Sequence, residues 1–500
     1  MPSPAPHIVV IGAGIGGLAC ALRLSGTGAR VTVLERHGAA GGKMRSVQSS
    51  AGPIDAGPTV LTMKHVFDTL FASVGARLDD HITMTREAML ARHFWTDGTM
   101  LDLMHDRDQS AANIHKAFGA TSASDFSRFA DKAARLFNAF EDPVMQSATP
   151  TVGQMTAKVL GNPRLIPAMA PHKSLARSLR QQFSDPRIAQ LFARYATYVG
   201  GIPALSPALL SLIAHAESNG VWHVKGGMHQ LARAIETRAA SLGATFHYNA
   251  HVDRIETANG SATAVYYAGT RISCDAVVFN GDPNAIADDK LGAEVTTAVP
   301  PQHPRSLSAY VATFAATPNG LPLAAHNVLF ADNPATEYAP LARGKMQTDP
   351  TLYICAQDRF GYQAPQGAER FEIILNAPPN DTTETQRCIT LITRRLHSFG
   401  LNFSPAITTL TTPRDFGQMF PASHGSLYGR SPHGMMAAFK RPTARTKIKG
   451  LYLVGGGVHP GAGVPMAALS GQHAVAAIMQ DLHLTSMSPQ AATHGGMSTA

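Results

Sequence analysis

Gly12, Gly14 and Gly17, followed by Glu35, are the first residues whose types and spacing could do chemistry. In a G-x-G-x-x-G run the first glycine permits a tight turn. The second lets the backbone approach a pyrophosphate, and the third lets a helix close on a strand. An acid at the end of the next strand accepts from the ribose hydroxyls of an adenosine, which is the place of Glu35. The strip continues through Gly41-Gly42-Lys43-Met44-Arg45, a second glycine pair with two cations. A nicotinamide enzyme has no use for such a pair just past its acid. An extended FAD does, because it crosses back over its own pyrophosphate toward the ring, and Lys43 and Arg45 would offset phosphate or flavin charge there. The competing reading is a solvated basic loop; the unbroken order of strand, glycines, helix, strand and acid favours FAD.

These residues need particular elements to hold them. Ile8-Val-Val-Ile11 is an uninterrupted apolar run, as in a strand buried on both faces. Leu18, Ala21 and Leu22 then mark a compact helix ending near Gly26 and Gly28, and a strand over 29–34 delivers Glu35. Much later, Gly226-Gly227 opens a helix over 229–242, a strand follows, and Val252 comes next. That order returns the chain to the dinucleotide domain, with the backbone amide and carbonyl of Val252 placed to hold the adenine. Near the end a strand runs into Gly455, Gly456 and Gly457, and a helix of small residues begins near Met466. Free amides at such a helix start stabilise negative charge on a flavin ring as it is reduced. His459, between a glycine turn and a proline, reads as shaping that turn rather than as a catalyst.

Composition bounds the rest. Charged residues make up only 15% of the chain against roughly 25% in an average soluble protein, while 44% is hydrophobic. A surface so short of charge suits contact with lipid or with a very apolar substrate. Lys and Arg total 42 against 34 Asp and Glu, a net charge of +8. That excess favours an anionic partner surface but is too dispersed for nucleic acid, and no nucleic-acid motif accompanies it. Cys20, Cys274, Cys355 and Cys388 are far apart, so neither a metal site nor a disulfide framework is expected. No signal peptide is expected ahead of the first strand, and no apolar run is long enough to span a bilayer. A protein of this kind is expected on the cytoplasmic side of a membrane, peripherally associated.

The expected fold is α/β: a Rossmann-like FAD-binding domain interleaved with a mixed sheet-plus-helix substrate domain and a helical, membrane-facing segment. Residues 1–90, 220–295 and 411–482 are assigned to the FAD-binding domain, and 91–219 and 296–410 to the substrate domain. Strands are expected between Asp79 and about Gly119, then helices over 122–216. The stretch from Gly161 to Gly200 carries Arg164, Lys173, Arg177, Arg180, Arg187 and Arg194 against one acid, Asp185. With Leu165, Ile166, Met169, Leu175, Leu179 and Phe183 it reads as a basic amphipathic segment suited to an anionic lipid interface, or equally as a helical lid. Residues 483–500, rich in Ser, Thr, Gly and Ala, read as a disordered tail.

Taken together, these blocks resemble the bacterial carotenoid desaturase family, a branch of the FAD-dependent amine-oxidase-like superfamily. The resemblance runs from Ile8 to about Met479, carried by Gly12 to Glu35, Gly41 to Arg45, Asp55-Ala-Gly-Pro-Thr-Val-Leu-Thr62, Gly220 to Met228 and Gly455 to Gly471. Arg194-Tyr-Ala-Thr-Tyr-Val-Gly200 and Met228 look more like hydroxycarotenoid 3,4-desaturases than phytoene desaturases, which usually show threonine near Met228 and glycine where Ala462 stands. The resemblance implies an acyclic carotenoid substrate, hydride transfer to the flavin N5, and re-oxidation by oxygen or a quinone. It points to Arg194, Tyr195 and Tyr198 as candidates to meet a substrate hydroxyl, with helix packing as their other role. No general base is identified. Two rivals remain: a non-catalytic prenyl-lipid carrier, which would have lost the flavin set kept here, and a small-amine oxidase, which needs an aromatic cage that 7% aromatic residues makes scarce.

Overall fold

The computed structural model describes residues 5–361, 365 and 367–483 of a mixed α/β protein. Strand β1 (His7–Ile11) is buried at all five positions, because parallel neighbours flank it, helices cover one face and a three-stranded antiparallel sheet over 252–273 covers the other. The sheet around it is parallel throughout. It takes β2 (Arg30–Leu34), β3 (Thr245–His247), β4 (Ala276–Phe279) and β5 (Leu451–Leu453) in the order β5-β4-β1-β2-β3. Helix α1 (Ile15–Ser25) packs between α2 (His229–Ser241) and α3 (Val464–Asp481).

The turn from β1 into α1 depends on two glycines. Gly12 has φ +98°, a conformation L side chains rarely adopt, and its amide donates to the Leu34 carbonyl at 2.8 Å. At Gly17 a Cβ would lie 2.2 Å from the Gly12 carbonyl oxygen, so only glycine lets the helix pass that close to the strand end. Gly14 caps α1 without a side-chain hydrogen bond, which leaves first-turn amides open toward the interior crevice.

A second sheet has seven strands, in the order Asn402–Ser404, Ser308–Asn319, Glu369–Ala377, Leu352–Ala356, His326–Leu329, Met89–Phe94 and Met100–Met104. All pairs are antiparallel except His326–Leu329 with Met89–Phe94. The short strand Ile54–Asp55 packs on Glu369–Ala377 and Ser308–Asn319, joining this sheet to the segment that carries Lys43 and Arg45.

One expectation needs correction. Helix begins well before residue 122: Arg107–Phe118 is helical, started by Asp106, whose side chain accepts from the Gln109 amide. Only Ser110 and Ile114 of that helix are buried, so its apolar period is too faint to read. The basic stretch is helical in several pieces. It is broken into Leu165–Met169, Leu175–Gln182, Pro186–Ala193 and the tight turn Arg194–Val199. Leu165, Met169, Leu175, Leu179 and Phe183 all turn inward, leaving Ile166 as the exposed one of that apolar set. Exposed Val152 and Leu160 lie on the preceding helix, Val152–Gly161.

Among the described residues no helix is long and apolar enough to cross a membrane. The tail over 483–500, apart from His483, lies outside the described residues. Gly17→Ala is expected to cost about 1–3 kcal/mol through overpacking at the strand end, read as a lower melting temperature. An unchanged melting temperature would show that the two backbones are not held that close.

Candidate functional site

The two sheets meet around one large cavity of about 740 Å³. The carboxyl ends of the parallel strands open into it, as does the start of α3, where Gly463, Val464, Pro465 and Met466 form its wall. Gly12, Gly14, Glu35, Lys43, Val252, Gly455, Gly456 and Met466 all line it. Gly17 does not: it is spent on the contact between strand and helix, so its place in a binding set is corrected to packing. Arg45 is also off the wall. It donates to the Thr411 hydroxyl at 3.0 Å and lies over the Phe416 ring, one layer behind.

Glu35 is 4% exposed and already committed on both oxygens, accepting from the amides of Ala13 at 2.7 Å and His37 at 2.8 Å. Two backbone donors thus fix the carboxylate at the cavity edge, leaving its outer lone pairs for hydroxyl donors. Beside it Arg36 lines the cavity with a buried Nη1 that has no partner. The electrostatics of this end are cationic. Burial pulls the Lys43 pKa down to about 8 even though Asp282 opposes the fall. Burial likewise pulls Arg441 down to about 10, and Arg441 donates to the carbonyls of Gly456, Tyr428 and Arg430. Asp282 is itself paired with Arg305. The remaining positive charge, an unpartnered guanidinium nitrogen and open helix-start amides fit a bound dinucleotide diphosphate. These residues would hold FAD.

Toward the helical side the wall turns apolar, with Phe137, Phe140, Val144, Met145, Met155 and the leucines of 209–212. One polar cluster interrupts it. Arg194 is 5% exposed and donates through Nη1 to the Tyr198 hydroxyl at 2.7 Å, which in turn donates to Glu217 Oε1 at 3.0 Å. Tyr195 donates to the same carboxylate. Burial would lower the Arg194 pKa, but Tyr198 and Glu217 hold it above its ordinary value, so Arg194 stays charged. Its Nε and Nη2 are buried without partners. Arg194, Tyr198 and Glu217 line the cavity and Tyr195 does not, which corrects Tyr195 to a packing and orienting position.

Three wall residues escaped sequence reasoning. Glu217 sits at the end of an apolar helix, Leu212–Ser218, and Arg441 in a loop without pattern. Glu372 opens the apolar run Glu372-Ile-Ile-Leu375 in a central strand, fully buried. A lone acid at a core position was the available signal. His459 lies off the cavity. It donates through Nε2 to the Ser147 carbonyl at 2.8 Å and stacks on His473, tying the glycine loop to the helical segment.

Residues 15–479 match the profile of the family described as flavin containing amine oxidoreductase. The chain is 50% identical over 485 residues to the hydroxyneurosporene desaturase of Cereibacter sphaeroides, covering 95% of this chain and 98% of that protein. It is 47% identical over 483 residues to the hydroxyneurosporene desaturase of Rhodobacter capsulatus, covering 95% and 98%. Among solved structures, an oxidoreductase from Methanosarcina mazei superposes with a TM-score of 0.61 at 18% identity, over 95% of this chain and 100% of that one.

The lowered pKa of Lys43 sets a pH dependence for binding an anionic dinucleotide. Lys43 is a cation below about pH 8 and neutral above it, so FAD affinity of the apoprotein is expected to fall as pH rises past 8. Lys43→Met is expected to weaken binding roughly tenfold to a hundredfold at pH 7 and to remove that fall. Titration calorimetry across pH 6.5–9.5 reads both, and an unaltered profile would remove Lys43 from the set.

Proposed function

We propose that this chain, which belongs to the flavin containing amine oxidoreductase family, is an FAD-dependent carotenoid desaturase. Its reaction is 3,4-desaturation of an acyclic 1-hydroxycarotenoid such as 1-hydroxyneurosporene. The observation that carries the reading is the cavity: about 740 Å³, largely apolar on its helical side and interrupted there by one buried polar cluster with unspent donors. Full-length likeness to two proteins named hydroxyneurosporene desaturase supports the same substrate class.

In this reading the backbone at Gly12 and Gly14 lies along the pyrophosphate and Lys43 offsets its charge. Glu35 takes the adenosine ribose, Val252 the adenine, and Gly455, Gly456 and Met466 border the ring. Bound FAD supplies the two-electron oxidation. Arg45 acts from behind the wall, through its charge. Arg194 and Tyr198 receive the substrate hydroxyl, held in place by Glu217 and Tyr195. The hydroxyl replaces water that those donors would otherwise need, so binding it relieves an unsatisfied buried guanidinium. The apolar wall aligns the chain and excludes water, and the polyene itself spreads developing positive charge.

The parallel sheet, drawn from widely separated parts of the chain, supports an FAD domain made of residues 1–90, 220–295 and 411–482. The substrate domain is then 91–219 and 296–410. Val152, Leu160 and Ile166 are exposed, as are Lys158 and Arg164, and the helix Val152–Gly161 sends Met155 into the cavity wall. That arrangement supports a peripheral seat on the cytoplasmic face of an anionic membrane, through which a lipid-soluble substrate enters. Oxygen or a membrane quinone re-oxidises the flavin.

The test is anaerobic, with FAD-reconstituted protein in liposomes. Flavin bleaching with 1-hydroxyneurosporene and a red-shifted polyene product is expected. Bleaching with phytoene alone would make the protein an earlier desaturase, and failure to take up FAD would leave a prenyl-lipid carrier. Tyr198→Phe removes one hydroxyl contact and is expected to cost about 1–3 kcal/mol of discrimination for the hydroxylated substrate over neurosporene. Equal discrimination in the variant and the parent would move the hydroxyl elsewhere in the cavity.

A further inference from the structure

Four carboxylates line the cavity: Glu35, Glu217, Asp282 and Glu372. Three are engaged. Glu35 holds two backbone amides, Glu217 two tyrosine hydroxyls, and Asp282 the Arg305 guanidinium. Glu372 is different. It is 0% exposed, and neither carboxylate oxygen completes a hydrogen bond of good geometry, the Gly57 amide making only a loose approach. A buried carboxyl left without partners costs stability, and on a cavity wall a bound group can offset that cost.

Its position is set by the sheet. Glu372, Ile374 and Asn376 alternate along one strand and all face the cavity. Tyr353, opposite Ile374 in register, faces it too and donates or accepts at 2.7 Å with both the Thr59 hydroxyl and His326 Nδ1. Glu372, Tyr353, Tyr198 and Arg194 line the same cavity. On its other side Glu372 approaches Gly57, the loop that runs back to Lys43. The free carboxyl therefore shares one cavity wall with residues assigned to the cofactor and with residues assigned to the substrate hydroxyl. In a 1-hydroxycarotenoid only one carbon separates the hydroxyl-bearing carbon from the C3–C4 bond. The reacting bond is thereby held within the part of the cavity next to the hydroxyl anchor.

We propose that Glu372 is the catalytic proton acceptor of the desaturation. The inference rests on the functional reading above and adds the base which that reading lacks. Removing two hydrogens from C3–C4 takes one hydride and one proton. The allylic C4 gives up hydrogen with its bonding electrons to oxidised FAD, which is reduced by two electrons. C3 gives its proton to the Glu372 carboxylate, and the electron pair of that C–H bond becomes the new π bond. The carboxylate ends protonated and passes that proton out before the next turnover.

Several groups face Glu372. Burial raises its pKa, the nearby charge of Asp55 raises it further, and Arg45 opposes both. Tyr353 and Cys355 from the adjoining strand and Tyr428 from the loop beside it are the other titratable neighbours; burial raises the pKa of each above its ordinary value, keeping it neutral. A base must be ionised to act, so the rate of flavin reduction is lost as pH falls through the raised pKa of Glu372. That acid limb lies above the ordinary glutamate range.

The experiment compares parent, Glu372→Gln and Glu372→Asp as FAD-loaded enzymes, with 1-hydroxyneurosporene added anaerobically across pH 5–9. Flavin reduction in Glu372→Gln is expected to fall roughly a hundredfold or more, with flavin content and melting temperature near the parent's and no acid limb. Glu372→Asp keeps a carboxyl and is expected to retain the limb at a reduced rate. A second readout does not depend on turnover rate: reduction of the parent by substrate should produce a carboxylic-acid carbonyl band in the infrared difference spectrum, absent in Glu372→Gln. Reduction of Glu372→Gln at the parent rate, or with the acid limb intact, overturns the assignment and leaves the desaturase reading standing. A parent inert toward every acyclic carotenoid overturns both.

Discussion

The tight passage from β1 into α1 is the constraint on which the rest of the structure depends. A strand buried on both faces must hand over to a helix within three residues, and the two backbones meet at Gly12 and Gly17. That closeness brings the open amides of α1 to the carboxyl end of β1. It also lets the Ala13 amide reach Glu35 at the end of the next strand. Parallel strands all deliver their ends to the same side, so β3, β4 and β5 bring the segments around Val252, Asn280 and Gly455 to that crevice. The amide-rich end of the cavity is there because of this shared polarity.

The opposite wall follows another rule. An antiparallel sheet exposes one face to the cavity, and its alternation places Glu372, Ile374 and Asn376 side by side. Helices from the segment over 107–218 close the remaining side with apolar side chains. In so dry a space a charge persists only where a partner or a ligand meets it. Arg194 is held by Tyr198 and Glu217, Asp282 by Arg305, and Glu35 by two amides. Among the buried side-chain atoms left without partners, those on Arg36, Arg194 and Glu372 lie on the cavity wall, while others, such as those on Arg23, His93 and Gln347, lie away from it.

Local patterns carried much of this. The glycine turn, the strand before it, the acid after it and the late glycine loop are all consequences of backbone sterics and short-range periodicity, and each lies where its spacing implied. The helix Arg107–Phe118 was not legible, since two buried residues in twelve leave no apolar stripe. Nor was the fate of the basic stretch. Its cations and apolar residues have the content of an amphipathic segment, but turns at 170–174 and 183–185 split it, so each short helix finds its own neighbours.

By itself, the sequence determined a dinucleotide fold, a flavin as the best-fitting cofactor, and a surface poor in charge, because these follow from residue types and near-neighbour spacing. Only the tertiary structure decided which of those residues touch the cavity. Gly17 and Arg45 belong to the right motifs yet stand behind the wall, and Tyr195 turns away from the cavity while Tyr198, three residues on, faces it. Glu217 and Glu372 come from segments 155 residues apart, and nothing in either neighbourhood announces the other. Their burial beside one cavity arises from how two sheets and a helical layer close on each other, a long-range packing outcome that no local window of the chain contains.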